Sequence, residues 1–328
     1  MGFTRVLFVD TRWRGDHGIG RFAREVSARL TLPYETLTER GRPSSPLDAV
    51  TRARLKLGTN DVIYSPGYNC GPSRATTIVT IHDLIHLDDP AQASAAKRLY
   101  YELVVKPVVR RAGLALTVSE AARERIEEWI DDDSVQVRVV GNGSSEAFRP
   151  GPPRETSAAP HFLYVGNLRP HKNVPVLMQA LALRPEYRLT LVVKDSVEAR
   201  QLAKKFEVAG QIEVVEHVDD EGLAALYRAA TATLFPSKLE GFGFPALESY
   251  LCGTPVVYWE GCRSIAGISD GSGVAVESDS DAEAWASAMD NAVNNHSTLM
   301  LAPAEQWRTR FGWDAVASSV ESALRTAL

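Results

Sequence analysis

Residues 232–259 read ATLFPSKLEGFGFPALESYLCGTPVVYW: a short apolar run, a glycine-bearing loop, a helical pattern and a second apolar run. Gly241 and Gly243 let backbone amides come close to a ligand. Pro245 suits the first helical position, where its missing N–H costs nothing. Amides at a helix N-terminus attract phosphate, so Glu240 before the loop and Glu248 inside the helix flank a candidate anion site. Carboxylates do not bind phosphate. They would hold something neutral attached to it, such as sugar hydroxyls.

The strand–loop–helix–strand rhythm repeats on both sides of this stretch. RVLFVD (5–10), DVIYS (61–65), TTIVTI (76–81), LALTV (114–118) and VQVRVVG (135–141) are short apolar runs separated by helical patterns. A second series holds HFLYVG (161–166), YRLTLVV (187–193), QIEVVEHV (211–218), ATLFPS (232–237) and TPVVYW (254–259). Such alternation predicts βαβ units, parallel sheets and ligands outside the carboxyl ends of the strands. Between the two series, around 149–160, the chain turns proline-rich and loses apolar periodicity, which marks a domain boundary. Two Rossmann-like halves result, and 303–328 reads as terminal helix.

The composition agrees. A chain of 328 residues, 45% apolar and 23% charged, suits two soluble domains. The net charge of -5 comes from the second half, the first 150 residues being slightly basic. That asymmetry is too mild for a nucleic-acid binder. Cys70, Cys252 and Cys262 have neither metal-ligand spacing nor an even disulfide set, as expected in a reducing cytosol. The start, MGFTRVLFVDTRWRGD, meets charge too early for a signal peptide, and no apolar run approaches a membrane span.

Three further stretches carry chemistry. Gly18–Ala23, GIGRFA, matches G-x-G-x-x-A, with Glu39 about 20 residues on. A dinucleotide fingerprint needs its first glycine tight against the strand end, and several residues separate Asp10 from Gly18. A loop delivering Gly20 to a phosphate and a purely structural turn are the other readings. His82 and Asp83 follow a strand directly, at a ligand edge, although a histidine there can also merely cap a turn. The spacing of His82 and His86 suits metal ligands on a helix, with no third ligand at a recognisable distance. In HFLYVGNLRPHKN, Gly166, Arg169 and Lys172 sit in the loop after a strand. There a guanidinium fork and an ammonium suit a diphosphate leaving group, with a solvated surface pair as the plainer alternative. Residues 94–113 are apolar with basic punctuation. They read as a core helix with a basic edge, broken at Pro107, or as a helix lying on anionic lipid. Asp131–Asp133 and Asp279–Asp281 read as helix caps and solvated turns rather than metal signatures.

Taken together, VGNLRPHKN, EGFGFPALE with its Glu240-x7-Glu248 spacing, and GTPVV resemble the donor half of the retaining glycosyltransferases of family 4. GIGRFAREVSARL, TIHDLIHL, ALTVSEAARERI, VVGNGSSEAFRP, VDDEGLAALYRAA and FGWDAVASSVESAL match in order along nearly the whole chain. The resemblance implies a GT-B fold of class α/β, with two Rossmann-like domains facing across a cleft. Residues 1–153 would take the acceptor and 154–312 the nucleotide sugar, with 313–328 a helix crossing back to the first domain. It implies that Arg169 and Lys172 hold the diphosphate, Glu240 the donor sugar hydroxyls and Glu248 the ribose. Phe242, Gly243 and Phe244 would offer amides, Gly166 and Asn167 would line the donor site, and His82, Asp83 and Gly20 would approach sugar and phosphates. The implied chemistry is metal-independent and needs no cofactor beyond the nucleotide-sugar co-substrate. Similar short sequences suggest bacterial mannosyltransferases of surface-polysaccharide or lipopolysaccharide synthesis, using GDP-mannose and a glycan or lipid-linked acceptor. Such enzymes are cytoplasmic, with peripheral contact at the inner membrane. A UDP-sugar donor, a small-molecule acceptor and an NAD(P)-dependent oxidoreductase using Gly18–Ala23 are the alternatives. The pattern does not call for His171, and the loop after the first strand lacks a Gly-Gly pair.

Overall fold

The computed structural model describes residues 5–15, 18–37, 41–45, 47–88, 94–151, 159–299 and 304–328. Asp16, His17, Glu39 and the proline-rich stretch holding the expected 153/154 boundary lie outside them. The chain divides into two units, one running up to Gly143 and including Phe311–Leu328, the other Ser144–Arg310.

In the first unit, β1 (Leu7–Val9), β2 (Glu35–Thr36), β3 (Val62–Ser65) and β4 (Thr76–Val79) form a parallel sheet in the order β2-β1-β3-β4. A second parallel pair, β5 (Leu114–Thr117) and β6 (Gln136–Val139), is joined to it where Ile81 N–H donates to Leu116 O at 2.8 Å. β3 and β5 are buried at every position, because helices cover both faces of a parallel sheet and favour continuous apolar runs.

The second unit carries β7 (His161–Val165), β8 (Arg188–Val192), β9 (Ile212–Val215), β10 (Ala232–Phe235), β11 (Val256–Trp259) and β12 (Val274–Val276). All are parallel, in the order β12-β11-β10-β7-β8-β9. The chain moves outward from β7 to β9, then returns to the other side of β7 and moves outward again. The strand order therefore reverses between β7 and β10, which is where such sheets bind ligands. Phe162, Leu177, Leu189, Leu191, Leu234 and Trp285, each fully buried, lie in the core beneath that point.

All ten apolar runs form strands. β2 and β12 escape the pattern because one is two exposed residues and the other three residues behind Gly271 and Gly273, both at positive φ. Two expectations change. Helix continues from Ala95 to Ala112 through Pro107, because a π-helical turn, Tyr101–Val105, precedes the proline. Such a turn shifts the hydrogen-bond register locally and accommodates the missing N–H. The C-terminal stretch is two helices, Ala304–Arg310 and Trp313–Arg325, interrupted at Phe311–Gly312. The second packs on the helix Gly18–Arg29: the rings of Phe22 and Trp313 lie 6.3 Å apart, edge to face, and Arg29 Nε reaches Asp314 at 3.0 Å. Glu321 accepts from Thr31 N–H at 2.8 Å and from the Thr31 hydroxyl.

Candidate functional site

Two loops leave the sheet on either side of the strand-order reversal in the second unit. The loop after β7 is shaped by its own polar groups. The Tyr164 hydroxyl donates to Asn167 O at 2.5 Å, and Arg169 N–H donates to Asn167 Oδ1 at 3.1 Å. A side chain at Gly166 would meet the Tyr164 hydroxyl at 2.8 Å. A single 3-10 turn, Pro170–Lys172, follows, and Asn173, left-handed at φ 53°, opens the helix Val174–Ala182.

The loop after β10 lies against it. Lys238 N–H donates to the main-chain carbonyl of buried His171 at 2.7 Å. Lys172 Nζ then meets Glu240 Oε1 at 2.5 Å, with only 15% and 11% of the two side chains exposed. The same ammonium lies 5.9 Å from the centre of the Phe235 ring. Ser264 Oγ holds the Glu240 carbonyl at 2.8 Å. Lys238 Nζ pairs with Asp279 Oδ2 at 2.6 Å, and Asn173 Nδ2 donates to Asp279 O at 2.6 Å. Asp279 thus lies in a partly solvated turn, as expected, and in addition ties the two loops. Asp281 does cap a helix, accepting from Glu283 and Ala284 N–H.

The helix beyond Glu240 spans Phe244–Leu251, so Pro245 is its second residue rather than its first. The effect is the same, since the first four helical N–H groups lack intrahelical partners. Gly243, before it, is at φ 108°, and a side chain there would run into Ile265 Cδ1. Phe242 and Phe244 stack edge to face at 5.3 Å. Glu248 is 5% exposed and accepts from the Tyr227 hydroxyl at 3.1 Å.

Charge is concentrated here. Burial raises the Tyr164 hydroxyl pKa, and the charge of Glu240 raises it further. Burial, helped by Glu240, pushes the Cys262 thiol up to about 12. The Lys238 bond holds the Asp279 carboxyl below the usual carboxylate range. The arrangement offers an ammonium, helix-start amides and a carboxylate within one site, which suits an anion bearing neutral hydroxyl groups. Arg169 lies on the exposed side of the same loop.

The remaining expected residues belong to the first unit. His82 Nε2 lies 3.0 Å from Pro66 O, so that nitrogen carries the proton, and the ring packs edge to face on Phe22 at 4.9 Å. Asp83 accepts from Ile85 N–H at 3.1 Å. Burial would raise its pKa, but the nearby His86 ring, 3.9 Å away, and the Ile85 N–H outweigh it and hold it low. Among the described residues, no three His, Cys, Asp or Glu side chains gather as a metal ion would require. Gly18–Ala23 lie in the first turns of the helix Gly18–Arg29, well past the end of β1. A side chain on Gly20 would collide with the carbonyl of Gly15, a structural reason for glycine there.

At the strand-order reversal between β1 and β3 sits a network that sequence reasoning missed. Arg12 Nη2 bonds Asp10 at 2.7 Å and Arg12 Nη1 bonds Asp48 at 2.5 Å; Arg52 bonds Asp10 as well. Asn69 Nδ2 donates to both carboxylates, at 2.8 and 3.0 Å. Burial raises the Asp10 pKa, yet Arg12 and Arg52 overcome it and hold it low. In the second unit, the pairings of Tyr227 with Glu248 and of Asp279 with Lys238 also went unread. The partners lie 21 and 41 residues apart, and no local pattern announces a pairing at that distance.

Residues 151–308 match the family described as "Glycosyl transferases group 1". A D-inositol 3-phosphate glycosyltransferase of Thermobispora bispora is 30% identical over 94% of this chain and 81% of its own length. O-antigen chain mannosyltransferase B of Escherichia coli is 29% identical over 60% of this chain, which spans 56% of that relative. Among solved structures, HepE of Anabaena, in complex with UDP and glucose, superposes with a TM-score of 0.73 at 16% identity, covering 99% of this chain and all of the other. That likeness establishes the GT-B fold.

Proposed function

The chain belongs to the group 1 glycosyl transferases, and on that premise we propose that it is a retaining glycosyltransferase moving a hexose from a nucleotide-diphosphate sugar to a glycan or lipid-linked acceptor. One observation carries the reading: Lys172 and Glu240 meet at 2.5 Å at the strand-order reversal of the second unit, beside the start of the helix Phe244–Leu251.

As the bond from the anomeric carbon to the diphosphate oxygen breaks, negative charge grows on the diphosphate. Lys172, Arg169 and the amides of 242–244 stabilise it, each well-placed donor being worth about 2.7–4 kcal/mol. The acceptor oxygen bonds the anomeric carbon on the face the leaving group departs. The acceptor's proton passes to the departing phosphate oxygen, so no metal and no covalent sugar intermediate is needed. Glu240 orients Lys172 and accepts from sugar hydroxyls, and Glu248, steadied by Tyr227, holds the ribose. Gly166 and Asn167 shape the loop.

For the donor we favour GDP-mannose, which the O-antigen mannosyltransferase among the relatives supports. A UDP-sugar is the second reading, supported by the UDP bound to HepE. Leu99 and Leu103, 58% and 66% exposed one helical turn apart beside the exposed Arg98, support contact with an anionic membrane surface at its cytoplasmic face. Among the described residues no helix is long and apolar enough to cross one.

The test is thermal unfolding with GDP, UDP, ADP and dTDP, then turnover of the winning base's sugar nucleotides. Lys172→Ala and Glu240→Ala are expected to stay folded and lose transfer. Near-normal turnover in both would remove the site assignment.

A further inference from the structure

Asp279 lies three residues beyond the end of β12, far along the chain from either loop of the donor site, and it touches both. Its carboxylate takes Lys238 Nζ at 2.6 Å, and its carbonyl takes Asn173 Nδ2 at 2.6 Å. Lys238 is two residues before Glu240, and Asn173 is the residue after Lys172. Between these anchors, Lys238 N–H donates to His171 O at 2.7 Å, and Lys172 meets Glu240. Three fastenings thus converge on the peptide units that carry the Lys172–Glu240 pair. Two of them come from Asp279.

We propose that Asp279 is a positioning residue for transfer, clamping the β7 and β10 loops together so that Lys172 and Glu240 stay aimed at the departing diphosphate. The inference rests on the transferase reading above.

The backbone on either side shows what the clamp acts on. Asn173 is at φ 53°, a left-handed conformation that asparagine adopts more readily than most L residues. Its amide is fixed by Asp279 O, so the turn Pro170–Lys172 ends against a fixed point. On the other loop, Lys238 precedes Gly241 and Gly243, which do little to stiffen the backbone, and its side chain is the tie that reaches the β12 end of the sheet. The Lys238 and Asp279 side chains are 42% and 28% exposed. Such a pair contributes little to global stability, so its worth lies in geometry. Displacing a catalytic cation by about 1 Å can cost about a hundredfold in rate.

The test uses the full chain and the sugar nucleotide that it turns over. Asp279→Ala and Lys238→Ala are each expected to lower kcat by about tenfold to a hundredfold, with donor KM and the thermal midpoint close to wild type. The double variant is expected to fall no further than either single one, because both cut the same tie. Lys238→Arg, which keeps the ion pair, is expected to retain most of the rate. A residue that merely supported the fold would shift the thermal midpoint and would show no such split between kcat and KM. Wild-type kcat in Asp279→Ala, or losses that multiply in the double variant, would overturn the clamp. Lys172→Ala and Glu240→Ala run alongside. If they are dead while Asp279→Ala is unimpaired, only the clamp fails. If they too are unimpaired, or if the wild type turns over no sugar nucleotide, the transferase site fails and the clamp with it.

Discussion

Gly243 shows how much one residue decides at this site. At φ 108°, with Ile265 Cδ1 where a β-carbon would go, it meets both conditions that favour glycine, an unusual backbone and no room. Gly243→Ala is therefore expected to lower stability by about 1–3 kcal/mol, read as a shift of the urea midpoint, and to weaken nucleoside-diphosphate binding as the helix start moves. An alanine variant as stable as wild type would contradict the strained geometry. This position was legible in the sequence as a glycine that lets backbone amides approach a ligand, just ahead of a helix with proline near its start. The Tyr227–Glu248 bond was not. Glu248 announced itself by its spacing from Glu240, whereas Tyr227 looks like any apolar-face tyrosine until the fold brings the hydroxyl to 3.1 Å.

At the level of elements, the two series of strands were readable because each is a compact apolar run, and the loops after β7 and β10 because glycine, proline and cations cluster there. What escaped was connection between distant elements. The terminal helix Trp313–Arg325 is tied to the segment after the first helix by Glu321, whose carboxylate the Thr31 hydroxyl and N–H hold down at about 2. An unfolded glutamate titrates at about 4.3. The folded value is depressed, so this contribution is fully present above about pH 4.3 and lost as the pH falls towards about 2. Glu321→Gln is expected to flatten the acid limb of stability over that window, measured by denaturant unfolding at about pH 5 and about pH 3. An acid limb as steep as the wild type's would rule the contribution out.

Across the whole molecule, the net charge of -5 should repel an anionic bilayer, so any attraction must be local. Screening confines charge interactions to about 8 Å at physiological salt, short enough for the basic edge of the helical run Ala95–Ala112 to act by itself. Co-sedimentation with anionic phospholipid vesicles is expected at low salt, weakening as salt rises. Leu99→Asp with Leu103→Asp is expected to abolish it; equal binding to zwitterionic vesicles would argue against the charge account. Each unit reverses its strand order beside its own first strand, between β1 and β3 in the first and between β7 and β10 in the second, but the two differ in what sits at that point. In the second, that point offers amides and cations to a substrate. In the first, Arg12 and Arg52 already grip Asp10 and Asp48. Two guanidiniums closed on two acids form a receptor and its anion written into a single chain. The first unit thus carries its own counter-ion at the reversal point, a surrogate supplied by the chain itself.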